Sequence, residues 1–179
     1  MAAGRLAAKE AVRQTRPELA PADIEVMGEA PNGGRPRILV KGAESALWLS
    51  ITHREGLAVA AVSPAPVGID LETVEDRPQS FLQEAFAVAE LRSLLDASDP
   101  RTDAACLWAA KEAALKRAGV GLKADLRKHV VTPDGKGGAR VEGPAVNGGY
   151  GVRFFSMDGK VLAVSAPACD AQTAPPQAA

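Results

Sequence analysis

The chain has 179 residues, 46% of them hydrophobic and 24% charged, with 21 basic and 22 acidic side chains for a net charge of −1. These proportions sit near the globular average, which excludes a wholly disordered chain, a collagen-like repeat and a coiled coil. The balanced charge lacks the basic excess of a nucleic-acid binder, and no stretch approaches the ~20 apolar residues that span a bilayer, so neither nucleic acid nor membrane is an expected partner.

Residues 3–14 are expected as a helix, with Leu6, Ala7, Ala11 and Val12 on one side and Arg5, Lys9 and Arg13 recurring at i, i+4 and i+8. Pro17 and Pro21 stop it. ADIEVMGE reads as a short strand, PNGGRPR as a turn and RILV as another short strand. In ALWLSITHREGLAVAAVS two apolar runs flank THREG, which has the length of a hairpin connection. VGIDLE follows as a third strand, so the stretch predicts consecutive antiparallel strands.

Residues 79–96 carry a helical pattern, and Pro100 separates them from a second helix over about 102–118. Gly119 lies where a helix-ending glycine belongs. HVVTPDGKGGARVEG reads as a loop or hairpin, and YGVRFFSMDGKVLAVSA as two strands around a Met-Asp-Gly turn. The tail, 170–179, is low in complexity and expected to be disordered. This order predicts the α+β class, an antiparallel sheet with packed helices. Two related lobes are compatible with it, although no clear repeat is visible. Cys106 and Cys169 form no CxxC pair, the opening residues lack the apolar stretch of a secretory signal, and reduced thiols in the cytoplasm are expected.

The chemistry concentrates in two segments. Asp70 and Glu72 are two apart in VGIDLE, so on a strand both leave the same face. Two acids in an apolar strand are costly unless paired, and hard carboxylate oxygens suit Mg²⁺. The plain alternative is a polar strand end. On the second helix, in WAAKEAALK, Glu112 and Lys116 are an i, i+4 pair. They make either a solvated ion pair or a third carboxylate with a lysine for phosphate, and Lys111 would join Lys116 as a point charge. His53 lies in the THREG turn, where a histidine is more often a surface residue than a ligand. His129 is assigned no role.

Together Thr52-His53-x-x-Gly56, Val67-Gly68-Ile69-Asp70-x-Glu72 and Trp108-x-x-Lys111-Glu112-x-x-x-Lys116 resemble the 4′-phosphopantetheinyl transferase superfamily, with 17 residues from His53 to Asp70. AFAVAEL and GVGL match its pattern too, and the resemblance covers roughly 4–165. It implies transfer of the phosphopantetheine arm of coenzyme A to a serine of an apo acyl or peptidyl carrier protein, releasing adenosine 3′,5′-bisphosphate. It implies Mg²⁺ held by Asp70, Glu72 and Glu112, with Glu112 also the base, directly or through water, and Lys116 on phosphate. It implies coenzyme A contacts from Arg35, Thr52 and His53. Residues 1–66 would form a lobe on the coenzyme A side and 67–169 a lobe carrying the acids. Arg5 and Lys9 are weaker candidates for coenzyme A.

The family usually has Ser-His-Ser where this chain has Thr52-His53-Arg54. Threonine keeps the hydroxyl, while Arg54 is an added cation, near phosphate or solvated. Beside the short trimeric branch the chain reads as too long, and beside the long two-lobe branch it is expected to lack an initial segment. It resembles the transferases fused to polyketide or fatty-acid synthases. Two rival readings use the same features: a Mg²⁺-dependent hydrolase of a coenzyme A or nucleotide pyrophosphate, and a non-catalytic lobe that docks a carrier protein.

Overall fold

The computed structural model describes residues 2–28 and 35–173. The first helix, α1 (Ala2–Thr15), buries Gly4, Ala8 and Val12 against a hairpin of β4 (Trp48–Arg54) and β5 (Leu57–Ser63); of the side expected from the sequence, Val12 is buried while Leu6 is exposed. Before that hairpin, β1 (Ile24–Met27), β2 (Arg37–Val40) and β3 (Ala43–Glu44) pair antiparallel in chain order. Ile24, Val26, Ile38 and Leu49 fill one core with the helix. Most of the turn expected over PNGGRPR, residues 31–34, lies outside the described residues. Thr52, His53 and Arg54 are not in a turn as expected but complete β4. Glu55 and Gly56 alone make the connection, both at positive φ (44° and 80°), the geometry a two-residue hairpin loop requires.

The second core is built on β6 (Gly68–Thr73), β7 (Val130–Pro133), β8 (Gly138–Gly143), β9 (Val146–Met157) and β10 (Lys160–Ser165). They form a five-stranded sheet in the order β6-β10-β9-β8-β7, every pair antiparallel. Helix α4 (Pro100–Ala118) lies across it. Its buried side is largely alanine (Ala104, Ala105, Ala109, Ala110, Ala113, Ala114), which lets the helix axis approach the sheet closely. The α+β class expected from the sequence is the class observed.

Three expectations are corrected. Strand β6 does not continue the β4–β5 ladder; it pairs with β10, Asp70 opposite Ala163. Its other edge faces β4, where side chains replace the backbone acceptors. Ser50 Oγ accepts from Ile69 N (3.0 Å) and Thr52 Oγ1 from Leu71 N (3.1 Å). The single helix over 79–96 is two, α2 (Gln79–Ala85) and α3 (Val88–Leu95), with Phe86 and Ala87 extended between them. Glu90 sets the break, its carboxylate accepting from Ala87 N (2.7 Å) at the start of α3. Finally, the tail expected to be disordered from 170 starts inside α5 (Pro167–Thr173), where Asp170 takes both guanidinium nitrogens of Arg117 (2.8 and 2.7 Å). Residues 174–179 lie outside the described residues.

Candidate active site

Strand alternation sends Asp70 and Glu72 to the same face of β6, toward α4, and both are 3% exposed. The approach is possible because residue 68 is glycine. A Cβ there would stand 1.9 Å from the Ala113 carbonyl oxygen. On α4 the i, i+4 spacing stacks Glu112 and Lys116 on the side that meets these acids. Lys116 Nζ lies 2.6 Å from Asp70 Oδ1 and 3.5 Å from Glu112 Oε2. One ammonium thus serves two carboxylates.

That compensation is incomplete. Asp70 Oδ1 also accepts from Thr52 Oγ1 (3.1 Å), but Oδ2 is buried with no partner. Burial raises the Asp70 carboxyl above its ordinary range, against the pull of Lys116. Burial, then the charge of Asp70, pushes Glu112 up to about 7, with Lys116 opposing. An orphaned carboxylate oxygen beside an under-compensated acid fits a hard divalent cation, so Asp70 and Glu112 suit Mg²⁺. Glu72 does not fit as arranged. Its two oxygens take Arg54 Nη2 (2.7 Å each), Arg77 Nη2 (2.5 Å) and Trp108 Nε1 (3.1 Å). Asp70, Glu72 and Glu112, the three acids expected at a metal, therefore stand in unlike surroundings, and among the described residues no group of three potential ligands is gathered. Arg54, expected near phosphate or in solvent, forms an ion pair with Glu72 while its side chain stays 40% exposed.

Beyond Lys116 opens a cavity of about 370 Å³ between α1, the β4–β5 hairpin and the end of α4. Its walls are apolar, with Met27, Leu49 and Leu57 among them, and its charges are Arg5, Arg35 and Lys116, with His53 at the same wall. Arg35 lies over the Trp48 ring, its Cζ 3.7 Å from the centroid, and its Nη1 is buried without an acceptor. A phosphate oxygen would supply that acceptor. An apolar slot with a few converging cations suits a nucleotide-type ligand.

Of the expected coenzyme A residues, the structure brings Arg35, His53 and Lys116 to this cavity, together with the weaker candidate Arg5. Three others are elsewhere. Thr52 is buried and engages Asp70 and β6, because neighbours on a strand face opposite ways and His53 takes the cavity side. Lys111 is fully buried, its ammonium on Glu90 Oε2 (2.7 Å) and the carbonyls of Ala85 (2.8 Å) and Leu126 (3.0 Å). Burial pushes that ammonium below its usual range, with Glu90 countering. Lys9 is turned to the Pro21 carbonyl (2.9 Å). Sequence reasoning missed Arg77 and Trp48. Arg77 gives no local signal, and Trp48 is five residues before His53, on a strand whose facing the sequence alone does not determine.

A family model described as the 4′-phosphopantetheinyl transferase superfamily matches residues 66–164. The chain is 28% identical over 141 residues to 4′-phosphopantetheinyl transferase psf-1 of Bacillus pumilus, an alignment covering 75% of this chain and 57% of that protein. The chain therefore spans little more than half the length of this relative. Two solved structures are also similar. Holo-[acyl-carrier-protein] synthase of Neisseria meningitidis matches with a TM-score of 0.49 at 22% identity, over 56% of this chain and 94% of that one. The synthase of Thermotoga maritima matches at 0.46 and 23%, over 56% and 61%. The matched residues 66–164 hold Asp70, Glu72, Glu112 and Lys116 and make up more than half of the chain, which belongs to the 4′-phosphopantetheinyl transferase superfamily.

Proposed function

We propose that this chain moves the 4′-phosphopantetheine group of coenzyme A onto a serine hydroxyl of an apo acyl or peptidyl carrier protein, releasing adenosine 3′,5′-bisphosphate. One observation carries the proposal. Lys116 belongs at once to the cavity of Arg35 and His53 and to the carboxylates Asp70 and Glu112. A pyrophosphate anchored by its nucleotide end in the cavity would meet the acids where the cavity ends.

Each residue then has a task. Arg5, Arg35 and His53 hold the phosphate-bearing nucleotide end, and Lys116 neutralises charge on the pyrophosphate. The serine oxygen bonds to the phosphorus carrying the pantetheine arm, and the bond from that phosphorus to the oxygen of the adenosine bisphosphate breaks. Glu112 accepts the serine proton at its carboxylate, directly or through water. Asp70 and Glu112 would hold a divalent cation, which lowers the barrier by spreading the charge of the departing bisphosphate. Thr52 fixes the rotamer of Asp70 from below.

The test incubates the chain with coenzyme A and Mg²⁺, with and without an apo carrier protein, and follows adenosine 3′,5′-bisphosphate by chromatography. Release only when carrier is present supports transfer. Equal release without carrier would overturn it in favour of a hydrolase. No release with several carriers would overturn it in favour of a docking lobe.

A further inference from the structure

Glu72 invites the role of third metal ligand, and its surroundings argue otherwise. A carboxylate offers about four lone-pair positions, two on each oxygen. All are taken: Oε1 accepts from Arg54 Nη2 and Trp108 Nε1, and Oε2 from Arg54 Nη2 and Arg77 Nη2. The carboxylate is 4% exposed, and Arg77 is itself packed against Phe81. Two guanidinium charges surround one carboxylate, so a dication entering here meets repulsion as well as filled lone pairs. Asp70, two residues away on the same face, is the opposite case, with one oxygen buried and unpartnered.

The four groups also come from four places. Glu72 is on β6, Arg54 at the end of β4, Arg77 in the connection to α2, and Trp108 on α4. Backbone hydrogen bonds do not join β4 to β6, so Arg54 adds an ion pair to a seam otherwise stitched by the hydroxyls of Ser50 and Thr52.

We infer that Glu72 is a positioning residue in this chain, the bracket that fastens β4, the 74–78 connection and α4 around β6, and that Asp70 and Glu112 hold the divalent cation without it. The inference rests on the transfer reading above. A practical consequence is that Arg54 and Glu72 act as a pair: the cation and the acid are to be gained or lost together.

The test reads metal directly, without turnover. The whole chain, with coenzyme A and no carrier, is titrated with Mn²⁺, and free Mn²⁺ is followed by electron paramagnetic resonance. The inference expects Glu72→Gln to change the dissociation constant by less than about threefold while lowering the melting temperature by about 6 °C or more. Asp70→Asn is expected to weaken Mn²⁺ by at least about tenfold with the fold intact. Arg54→Ser keeps the inference falsifiable where Glu72→Gln does not fold. A bracket predicts lower melting temperature and Mn²⁺ affinity within about threefold, whereas a freed ligand would bind at least about tenfold tighter. Loss of Mn²⁺ in Glu72→Gln matching that in Asp70→Asn overturns the inference and leaves the transfer reading standing. A wild-type chain that takes up no Mn²⁺ overturns both.

Discussion

Replacing Gly68 by alanine perturbs the site without touching any charged group. The added Cβ would stand 1.9 Å from the Ala113 carbonyl oxygen and 2.5 Å from the Arg117 nitrogen, distances real Cβ atoms never show below 3.0 Å. Both obstacles are helix backbone, so no rotamer change relieves them. Strand β6 and α4 must separate by at least about 1 Å, and overpacking of this kind costs about 1–3 kcal/mol or more. At about 2–4 °C per kcal/mol for a domain of this size, the melting temperature should fall by about 2–12 °C. The same separation moves Asp70 away from Lys116 and Glu112, and a 1 Å misplacement can cost about 100-fold in rate. The assay pairs thermal unfolding with transfer rate. Gly135→Ala, at φ 70° in the β7–β8 turn with nothing within 4 Å, is the control: backbone strain of about 1 kcal/mol and an unchanged rate. A Gly68→Ala chain as stable and active as wild type would refute the claim that this close approach builds the site.

Lys111→Met leaves Glu90 buried without its cation and should cost about 3–5 kcal/mol, read by urea unfolding, with the Michaelis constant for coenzyme A unchanged; a raised constant would return Lys111 to the substrate. His53→Ala should raise that constant by about tenfold with turnover at saturation nearly unchanged, since it removes one ligand hydrogen bond at the cavity wall; no change would exclude His53 from the nucleotide end. Glu112 is raised from its ordinary 4.5 to about 7, so the folded chain holds the extra proton: its contribution to stability is complete below about 4.5 and is lost as pH rises through about 7. In EDTA, wild type should therefore lose up to about 3 kcal/mol relative to Glu112→Gln between pH 5 and 8, and a flat difference would show that Glu112 is not desolvated.

Residue by residue, what the sequence reveals follows local periodicity, and what it hides is tertiary. The two-residue spacing of Asp70 and Glu72 and the four-residue spacing of Glu112 and Lys116 set shared faces from strand and helix geometry alone. The same periodicities contain two warnings. Lys111 immediately precedes Glu112, so it leaves the helix about 100° away and its ammonium reaches Glu90 instead. Thr52 and His53 are strand neighbours, so only one reaches the cavity. The fate of Glu72 is not legible in the sequence, because Arg54, Arg77 and Trp108 arrive from separate elements and no spacing announces them. The break at Phe86–Ala87 carries neither proline nor glycine; it follows from Glu90 capping α3 while pairing with Lys111 on α4. Strand β6 reads as continuous with β5 because apolar runs state that a strand is buried, not which strand it pairs with.

The central claim is that Asp70, Glu112 and Lys116 transfer phosphopantetheine from a coenzyme A seated in the cavity of Arg35 and His53. Intact-mass spectrometry of an apo carrier protein incubated with this chain, coenzyme A and Mg²⁺ tests it most directly, with EDTA and Glu112→Gln alongside. The account predicts a carrier heavier by one phosphopantetheine with the wild-type chain, and no gain with EDTA or with Glu112→Gln. A mass gain that persists in EDTA, or in the Glu112→Gln chain, would contradict it.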